Sequence, residues 1–526
     1  MSKCTILDEL VQRCEDFNLS KSFTESDGCF KGEVNLKASP KVNIDIEVEV
    51  PYSYPLLSRG RKCCRFKVKN VTGHKHLNAD NTICLEIPKC IDFEERFLLE
   101  LEAIKVWRDE YYINNKIDKR YEYAIVPNQH NITFLYRNNK QLFKKSDWGY
   151  VYGNVISNYT KFFNSTHEVY DIDLFSSISP NKRRINNELG LYYFLGNEPI
   201  RNGNVIVDSW QELQSYINNN FIQKLYDKIK DEHPFFVFLG YNAGGEIHWL
   251  AAKIDKSLII KAKKYPNVRH QSYYEFQNEP ICWCNTRNIN YERFFGRGAI
   301  SKNIKDKKIL ILGLGAIGSC LSTVLVRSGV LDITLSDFDF VDSGNLCRSE
   351  YHLHCLQLPK TLALFKSLTS ISPYININIL DAEISKRLDE PFKTQTQEQL
   401  KQFDLIFNCT ADDELIYVLD NIRPTCQIIN ISITNEAKEL MCLTGNDITE
   451  QIRLFSSTDG ESGERFFEGT GCWDWTFKAS FFDINALLNL AIKNINLKLE
   501  KQETLKSFVV KYVQENGFEN IKIDGI

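Results

Sequence analysis

Residues 308–336 read as an apolar run (KILIL), a glycine-punctuated turn, an apolar helical segment at 316–327 and a second apolar run (DITLS), which together make a strand–helix–strand unit. Within it Gly313, Gly315 and Gly318 form G-x-G-x-x-G. At a strand-to-helix turn that spacing brings backbone amides and a helix N-terminus up to a phosphate. The turn serves NAD, FAD and ATP alike, so by itself it leaves the ligand open. Further apolar runs, ININIL, DLIFNC and QIINISI, alternate with helical segments near Thr361 and Asp413. They predict a mostly parallel, doubly wound α/β sheet over 301–526, with a helical tail from 479 to about 515.

The residues after the second strand narrow the ligand. They are Asp337 and Asp339, then Val341, then Asn345-Leu346-Cys347-Arg348, then Lys360. This string resembles the ThiF/MoeB/ubiquitin-activating-enzyme family from Lys308 onward. The resemblance implies a Rossmann-like adenylation domain that uses ATP and Mg2+. In that family the residue matching Asp337 holds the ribose hydroxyls, with Asp339 beside it in the ATP site, and those matching Asn345, Arg348 and Lys360 contact the phosphates. The residue types suit the chemistry, because a carboxylate attacking an α-phosphate builds negative charge that Arg and Lys stabilise. Hydride transfer has no use for that cationic pair.

One segment departs from the pattern. The family places a magnesium-binding Asp in a stretch like D-x-T-D, whereas NCTADD puts Asn408 and Ala411 at the matching positions and Asp412 one residue late. Asp412 is either the metal ligand after a small register change or a helix N-cap. Upstream, Arg293 and Arg297 in YERFFGRG are the candidates for the Arg that dimeric relatives insert into a partner's ATP site; we take Arg297 as the first choice and expect a homodimer.

A thiolate is the natural acceptor of an adenylated acyl group, and the thioester stays reactive toward amines. Two cysteines stand out. Cys472 in EGTGCWDWTF matches a glycine-Cys-aromatic segment of activating domains from bacterial conjugation systems. Cys84 lies in HLNADNTICLEIP, downstream of VPYSYPLL. Together these segments resemble the ubiquitin-conjugating fold, with its YP turn, its H-P-N segment and its catalytic I-C-L. The resemblance gives Asn78 the oxyanion-steadying role and His76 a structural one, with Leu77 where the family has Pro. The surrounding pattern is helical at 4–17, strand-like at 29–36, 42–50 (alternating IDIEVEV) and 65–68, and helical at 92–109, which is one α+β unit over 1–112.

Residues 113–300 carry no chemical motif. Strand-like pieces (YEYAIV, NITFLY) and an apolar hairpin, HPFFVFLGYNAGGEIHWLAAKI, predict a mixed α/β linker or docking domain. The chain is thus expected to be multidomain: ubiquitin-conjugating-like, linker, adenylation. That order resembles the fused conjugating and activating enzymes of bacterial CBASS antiphage operons, and implies as substrate the C-terminal carboxylate of a cGAS/DncV-like nucleotidyltransferase, with a target protein amine as acceptor. A relay for a bacterial ubiquitin-like protein and a sulfur-carrier adenylyltransferase are the alternatives.

Bulk composition excludes other classes. A formal net charge of -4 over 526 residues gives no pull toward nucleic acid or anionic lipid. No apolar run approaches the ~20 residues a membrane helix needs, and the N-terminal MSKCTILDELVQRCEDF contains acids, unlike a signal peptide. We therefore expect no membrane association and a location in the bacterial cytoplasm. The 16 cysteines include no C-x-x-C, so neither a disulfide scaffold nor structural zinc is expected.

Overall fold

The computed structural model describes residues 2–525 except 57–63, 72–75, 79, 86–89, 117–125, 127–129, 138–141, 163–164, 177–187, 203–204, 229–234, 255–257, 259–262, 267–271, 276–277, 381–383, 446–447, 457–465, 469–474 and 478. It divides into two compact units, Met1–Asn290 and Tyr291–Ile526.

The first unit opens with a helix, Lys3–Gln12, whose first turn is capped by Ser2 accepting the Thr5 amide at 3.2 Å. A four-stranded antiparallel meander follows: Phe17–Ser26, Cys29–Ser39, Val42–Pro51 and Arg65–Val68. The IDIEVEV alternation sets its register. Ile44, Ile46, Val48 and Val50 are buried and pair with Leu36, Val34, Gly32 and Phe30, while the intervening acids stay half-exposed. That buried face packs on Phe97, Leu101, Ile104 and Trp107 of a helix at Phe93–Trp107, which Asp92 caps through the Glu95 amide at 2.8 Å. The first strand, Phe17–Ser26, escapes a sequence reading because only Phe17 and Phe23 turn inward.

Residues beyond 130 form a closed seven-stranded barrel instead of the layered α/β domain expected. Its order is Phe235–Ala243, Glu246–Ile254, Cys282–Asn288, His130–Tyr136, Ser165–Ser176, Trp148–Phe162 and Glu188–Gly196, closed by parallel pairing of the last with the first. Aromatic rings fill one side of its wall, with Phe134 edge-on to both Phe236 and Phe238 at 4.9 Å. Helices Trp210–Gln214 and Asn219–Lys228 cover the other side. Strands buried on both faces lose period-two alternation, which is why the barrel was hidden in a run of aromatic residues. The hairpin is where the apolar arms predict it, Phe235–Ala243 against Glu246–Ile254.

The second unit is built on an eight-stranded sheet. Its strands are β1 (Lys308–Leu312), β2 (Asp332–Ser336), β3 (Asn376–Ile379), β4 (Leu405–Asn408), β5 (Gln427–Thr434), β6 (Glu439–Thr444), β7 (Phe508–Glu515) and β8 (Phe518–Gly525). The order is β3-β2-β1-β4-β5-β6-β7-β8, parallel through β5 and antiparallel beyond. Helices α1 (Ala316–Arg327), α2 (Lys360–Ile371) and α4 (Phe481–Glu500) share one core with the sheet; α3 (Asp413–Ile422) joins a separate cluster with Leu310, Leu312 and Ile406. The five parallel strands fall on the five apolar runs named above. The tail differs, since α4 stops at Glu500 and 508–525 is a hairpin. The apolar, β-branched and aromatic run FVVKYV favours a strand, and Asn516 and Gly517, both at positive φ, turn it back.

Candidate active site

The site lies where the order of the parallel strands reverses, between β1 and β4, at their carboxyl ends, the crevice in which open α/β sheets bind ligands. It is a cleft of about 300 Å³ lined by the glycine turn, the Ser336–Asp339 segment, Lys360, Lys386 and the residues after β4.

Gly313 leaves β1 at φ +78°, a conformation that favours glycine, and a Cβ there would sit 2.8 Å from the Thr410 Cα. At Gly318, a Cβ would lie 1.9 Å from the Gly313 carbonyl oxygen, so the first turn of α1 packs directly on the turn below it. Gly318→Ala is therefore expected to destabilise the protein by about 1–3 kcal/mol, the usual range for forced overpacking. Urea denaturation measures it, and an unchanged midpoint would contradict this packing.

Asp337 ties the turn to β2. One of its carboxylate oxygens accepts the Leu314 amide at 2.6 Å and the other accepts the Asp339 amide at 2.8 Å. Each oxygen has a further lone pair, so both can still accept a hydroxyl. Lys360 arrives beside it through backbone pairing. Phe340 bridges Pro359, Val341 donates to Leu358 and the Lys360 amide donates to Asp339 at 2.9 Å, which brings residues about twenty apart into one cluster. The Lys360 side chain is only 8% exposed, with Nζ 2.8 Å from Asp339 and 3.8 Å from Asp337.

Asn345 and Arg348 lie on the loop that joins β2 to α2, and neither lines the cleft. Asn345 Oδ1 accepts the Asp342 amide at 2.9 Å, half of a capping box. The loop is fastened to the glycine turn by the Tyr351 hydroxyl, which donates to Leu314 O at 2.7 Å, and by the Glu350 amide on Ser319 Oγ at 3.2 Å. Arg297 is exposed, on a groove it shares with Phe294, Phe295 and Arg327. It does not line this chain's own nucleotide cleft.

Asp412 caps α3, accepting the Leu415 amide on Oδ1 at 3.0 Å. Its Oδ2 is 2.7 Å from Lys386 Nζ, which also lies 3.0 Å from Glu414. Burial pushes the Asp412 carboxyl up, but the Lys386 ammonium and the helix amides outweigh it and hold the group below its usual range. Ala411, at the family's metal position, sits at φ +52°, and Asn408 is spent on Asn430 at 2.7 Å and on the Thr410 hydroxyl at 2.8 Å. Among the described residues, no three His, Cys, Asp or Glu side chains gather as a metal set. Magnesium takes one or two carboxylates besides substrate phosphates. Of the acids that follow β4, Asp412, Asp413 and Glu414, Asp412 is the one that lines the cleft, and both its oxygens are engaged, one by an ammonium, so these residues do not fit a metal held by the protein. Lys386 is the cleft residue that sequence reading missed; nothing in LDAEISKRLDE singles it out.

In the first unit, Cys84 is exposed and its amide donates to His76 O at 2.7 Å. Leu77 bridges Ile83 and Thr82 bridges Lys67, so residues 76–84 double back on the edge of the meander. Asn78 is exposed, its Nδ2 donating to Thr82 Oγ1 at 2.8 Å, and the His76 ring lies on Tyr111 at 4.1 Å. His76, Asn78 and Cys84 thus share one loop. In the helix Phe93–Trp107, burial pushes the Glu100 carboxyl up even though Arg96 bonds it at 2.8 Å. Cys472 lies outside the described residues.

Comparison with known proteins bears on the nucleotide cleft. Residues 286–433, which include the glycine turn, Asp337, Lys360 and Asp412, match the ThiF family. Most of the matched stretch falls in the C-terminal unit, whose doubly wound sheet is thus ThiF-like from β1 through β5. An ATP-dependent ubiquitin transferase-like protein, Cap2, of Enterobacter hormaechei subsp. hoffmannii is 26% identical over 278 residues, covering 48% of this chain and 46% of the relative. A molybdopterin-synthase adenylyltransferase of Haemophilus influenzae is 37% identical over 122 residues, 23% of this chain and 46% of the relative. Its namesake in Escherichia coli strain K12 is 30% identical over 159 residues, 30% of this chain and 57% of the relative. The chain spans about half the length of these curated relatives. Among the described residues of the ThiF-like unit and the rest of the chain, no helix is long and apolar enough to cross a membrane.

Proposed function

We propose that the ThiF-like unit uses ATP to adenylate the C-terminal carboxylate of a protein, and that the chain passes the acyl group through thioesters on Cys472 and Cys84 to a target amine. The observation that carries the first half is the Asp337–Lys360–Asp339 cluster set against the glycine turn. Asp337 and Asp339 accept the ribose hydroxyls, the amides of the turn face the phosphates, and Lys360 offsets the charge that builds on the α-phosphate as the carboxylate attacks. ATP brings its own Mg2+; no protein group is assigned to hold it.

The second half is supported by the exposed Cys84 on a loop with His76 and Asn78, following a helix and a four-stranded meander, the arrangement of a ubiquitin-conjugating-like domain at 1–112. Similarity to Cap2 and the domain order favour an antiphage, CBASS-type role. The C-terminus of a cGAS/DncV-like nucleotidyltransferase is then the substrate, and a homodimer would carry Arg297 to the partner's ATP. The molybdopterin-synthase adenylyltransferases, more identical over a shorter stretch, favour a second reading, transfer to a sulfur carrier, which has no use for Cys84. ATP–pyrophosphate exchange tests the adenylation step. It is expected only with the cognate protein present, and a variant of that protein lacking its terminal glycine should not support it; exchange indifferent to any protein C-terminus would sink the proposal. A thioester trapped on Cys84 separates the two readings.

A further inference from the structure

Lys386 stands in the nucleotide cleft where the ThiF pattern leads one to look for a metal. It lines the cleft together with Asp339, Lys360 and Thr410, and its ammonium is 2.7 Å from Asp412, the acid after β4 that lines the cleft. The two cleft lysines hold corresponding places. Lys360 is paired with Asp339 and Asp337 after β2, and Lys386 with Asp412 and Glu414 after β4, so each side of the glycine turn presents one cation held by a pair of acids. Asp412 is fixed in turn as the cap of α3. A dication brought to Asp412 Oδ2 would have to displace a like charge already bonded there, and the neighbouring positions, Ala411 and Asn408, offer it no carboxylate.

We infer that Lys386 is a phosphate-binding residue that supplies, from the protein, the positive charge other ThiF-like sites obtain from an Asp-held metal, and that Asp412 is its positioning residue. The inference rests on the adenylation reading of this cleft. In that reaction a carboxylate oxygen forms a bond to the α-phosphorus, the bond from that phosphorus to the bridging oxygen breaks, and pyrophosphate leaves with the electron pair. A cation on the β,γ side favours both binding of the triphosphate and its departure. The carboxylate partners hold the Lys386 side chain in the cleft before the nucleotide arrives, which lowers the ordering cost of the contact.

Calorimetric titration of the full chain with ATP and with AMP, each in EDTA and in excess Mg2+, tests it. The wild type is expected to bind ATP in EDTA. Lys386→Ala and Lys386→Gln should each weaken that binding at least ten-fold while changing AMP affinity less than two-fold, since AMP lacks the phosphates concerned; Lys386→Arg should recover most of the loss. Asp412→Asn keeps the helix cap, and the ratio of its ATP affinity in Mg2+ to that in EDTA should stay within two-fold of wild type. Equal ATP affinity in wild type and both neutral Lys386 variants overturns the inference alone, as does a ten-fold fall of that ratio in Asp412→Asn. Failure of the wild type to bind either nucleotide overturns the adenylation reading and this inference with it.

Discussion

Lys360→Ala is expected to lower substrate-dependent ATP–pyrophosphate exchange by about 10²–10³-fold, the loss typical of removing one preorganised donor from a site of developing charge. The side chain is almost fully buried and its ammonium lies between two carboxylates. Without it, Asp337 and Asp339 face an incoming polyanion with no cation between them, so the variant should lose nucleotide affinity as well as rate. The helix should survive, because Lys360 is the first residue of α2 and alanine is the strongest helix former. Circular dichroism should therefore show native helix content while exchange collapses. Exchange within three-fold of wild type would remove Lys360 from the site. Lys360→Arg is expected to recover only part of the rate, since a planar guanidinium does not reproduce a point charge held 2.8 Å from Asp339.

That cluster shows what a sequence can and cannot convey about a site. Gly313, Gly315 and Gly318 are legible because their spacing reflects backbone geometry, and Asp337 because it ends an apolar strand. Lys360 follows from its distance along a recognisable string, but the reason it arrives, the short pairing of 339–341 with 357–360, is visible only in three dimensions. Asp412 was left between metal ligand and helix cap. The structure makes it a cap and adds Lys386, a partner twenty-six residues upstream whose approach no local pattern announces. The barrel illustrates the opposite failure. In Glu188–Gly196, Phe235–Ala243 and Glu246–Ile254 burial on both faces erases the alternation that marks a strand, so there the signal is lost through too much hydrophobicity. The C-terminal hairpin follows α4 after KQETLKS, a polar stretch with no proline or glycine to end a helical reading, and the Asn516–Gly517 turn carries the distinction.

Cys84→Ala is expected to reduce conjugate to background, a loss of at least about 10²-fold given that no other nucleophile replaces the thiolate, while leaving ATP–pyrophosphate exchange unchanged. The two activities separate because exchange needs only groups of the unit Tyr291–Ile526, whereas Cys84 belongs to the unit Met1–Asn290. Truncating an exposed side chain on a loop held by backbone bonds at His76, Asn78 and Ile83 removes little packing, so the loop should keep its shape. Cys84→Ser gives the sharper result. Its hydroxyl is a poorer nucleophile and a poorer leaving group, so any acyl chain it accepts should remain as an oxyester that survives dithiothreitol and is released by alkali. Non-reducing gels with mass spectrometry of the acylated peptide would locate it. When Cys472→Ala is added to Cys84→Ser, the oxyester at position 84 should not form, because the relay is broken upstream, whereas exchange should persist. Wild-type conjugation by Cys84→Ala would remove Cys84 from the relay, whereas a wild type that exchanges pyrophosphate but forms no conjugate would favour the sulfur-carrier reading, in which the loop of His76, Asn78 and Cys84 has no chemistry to perform.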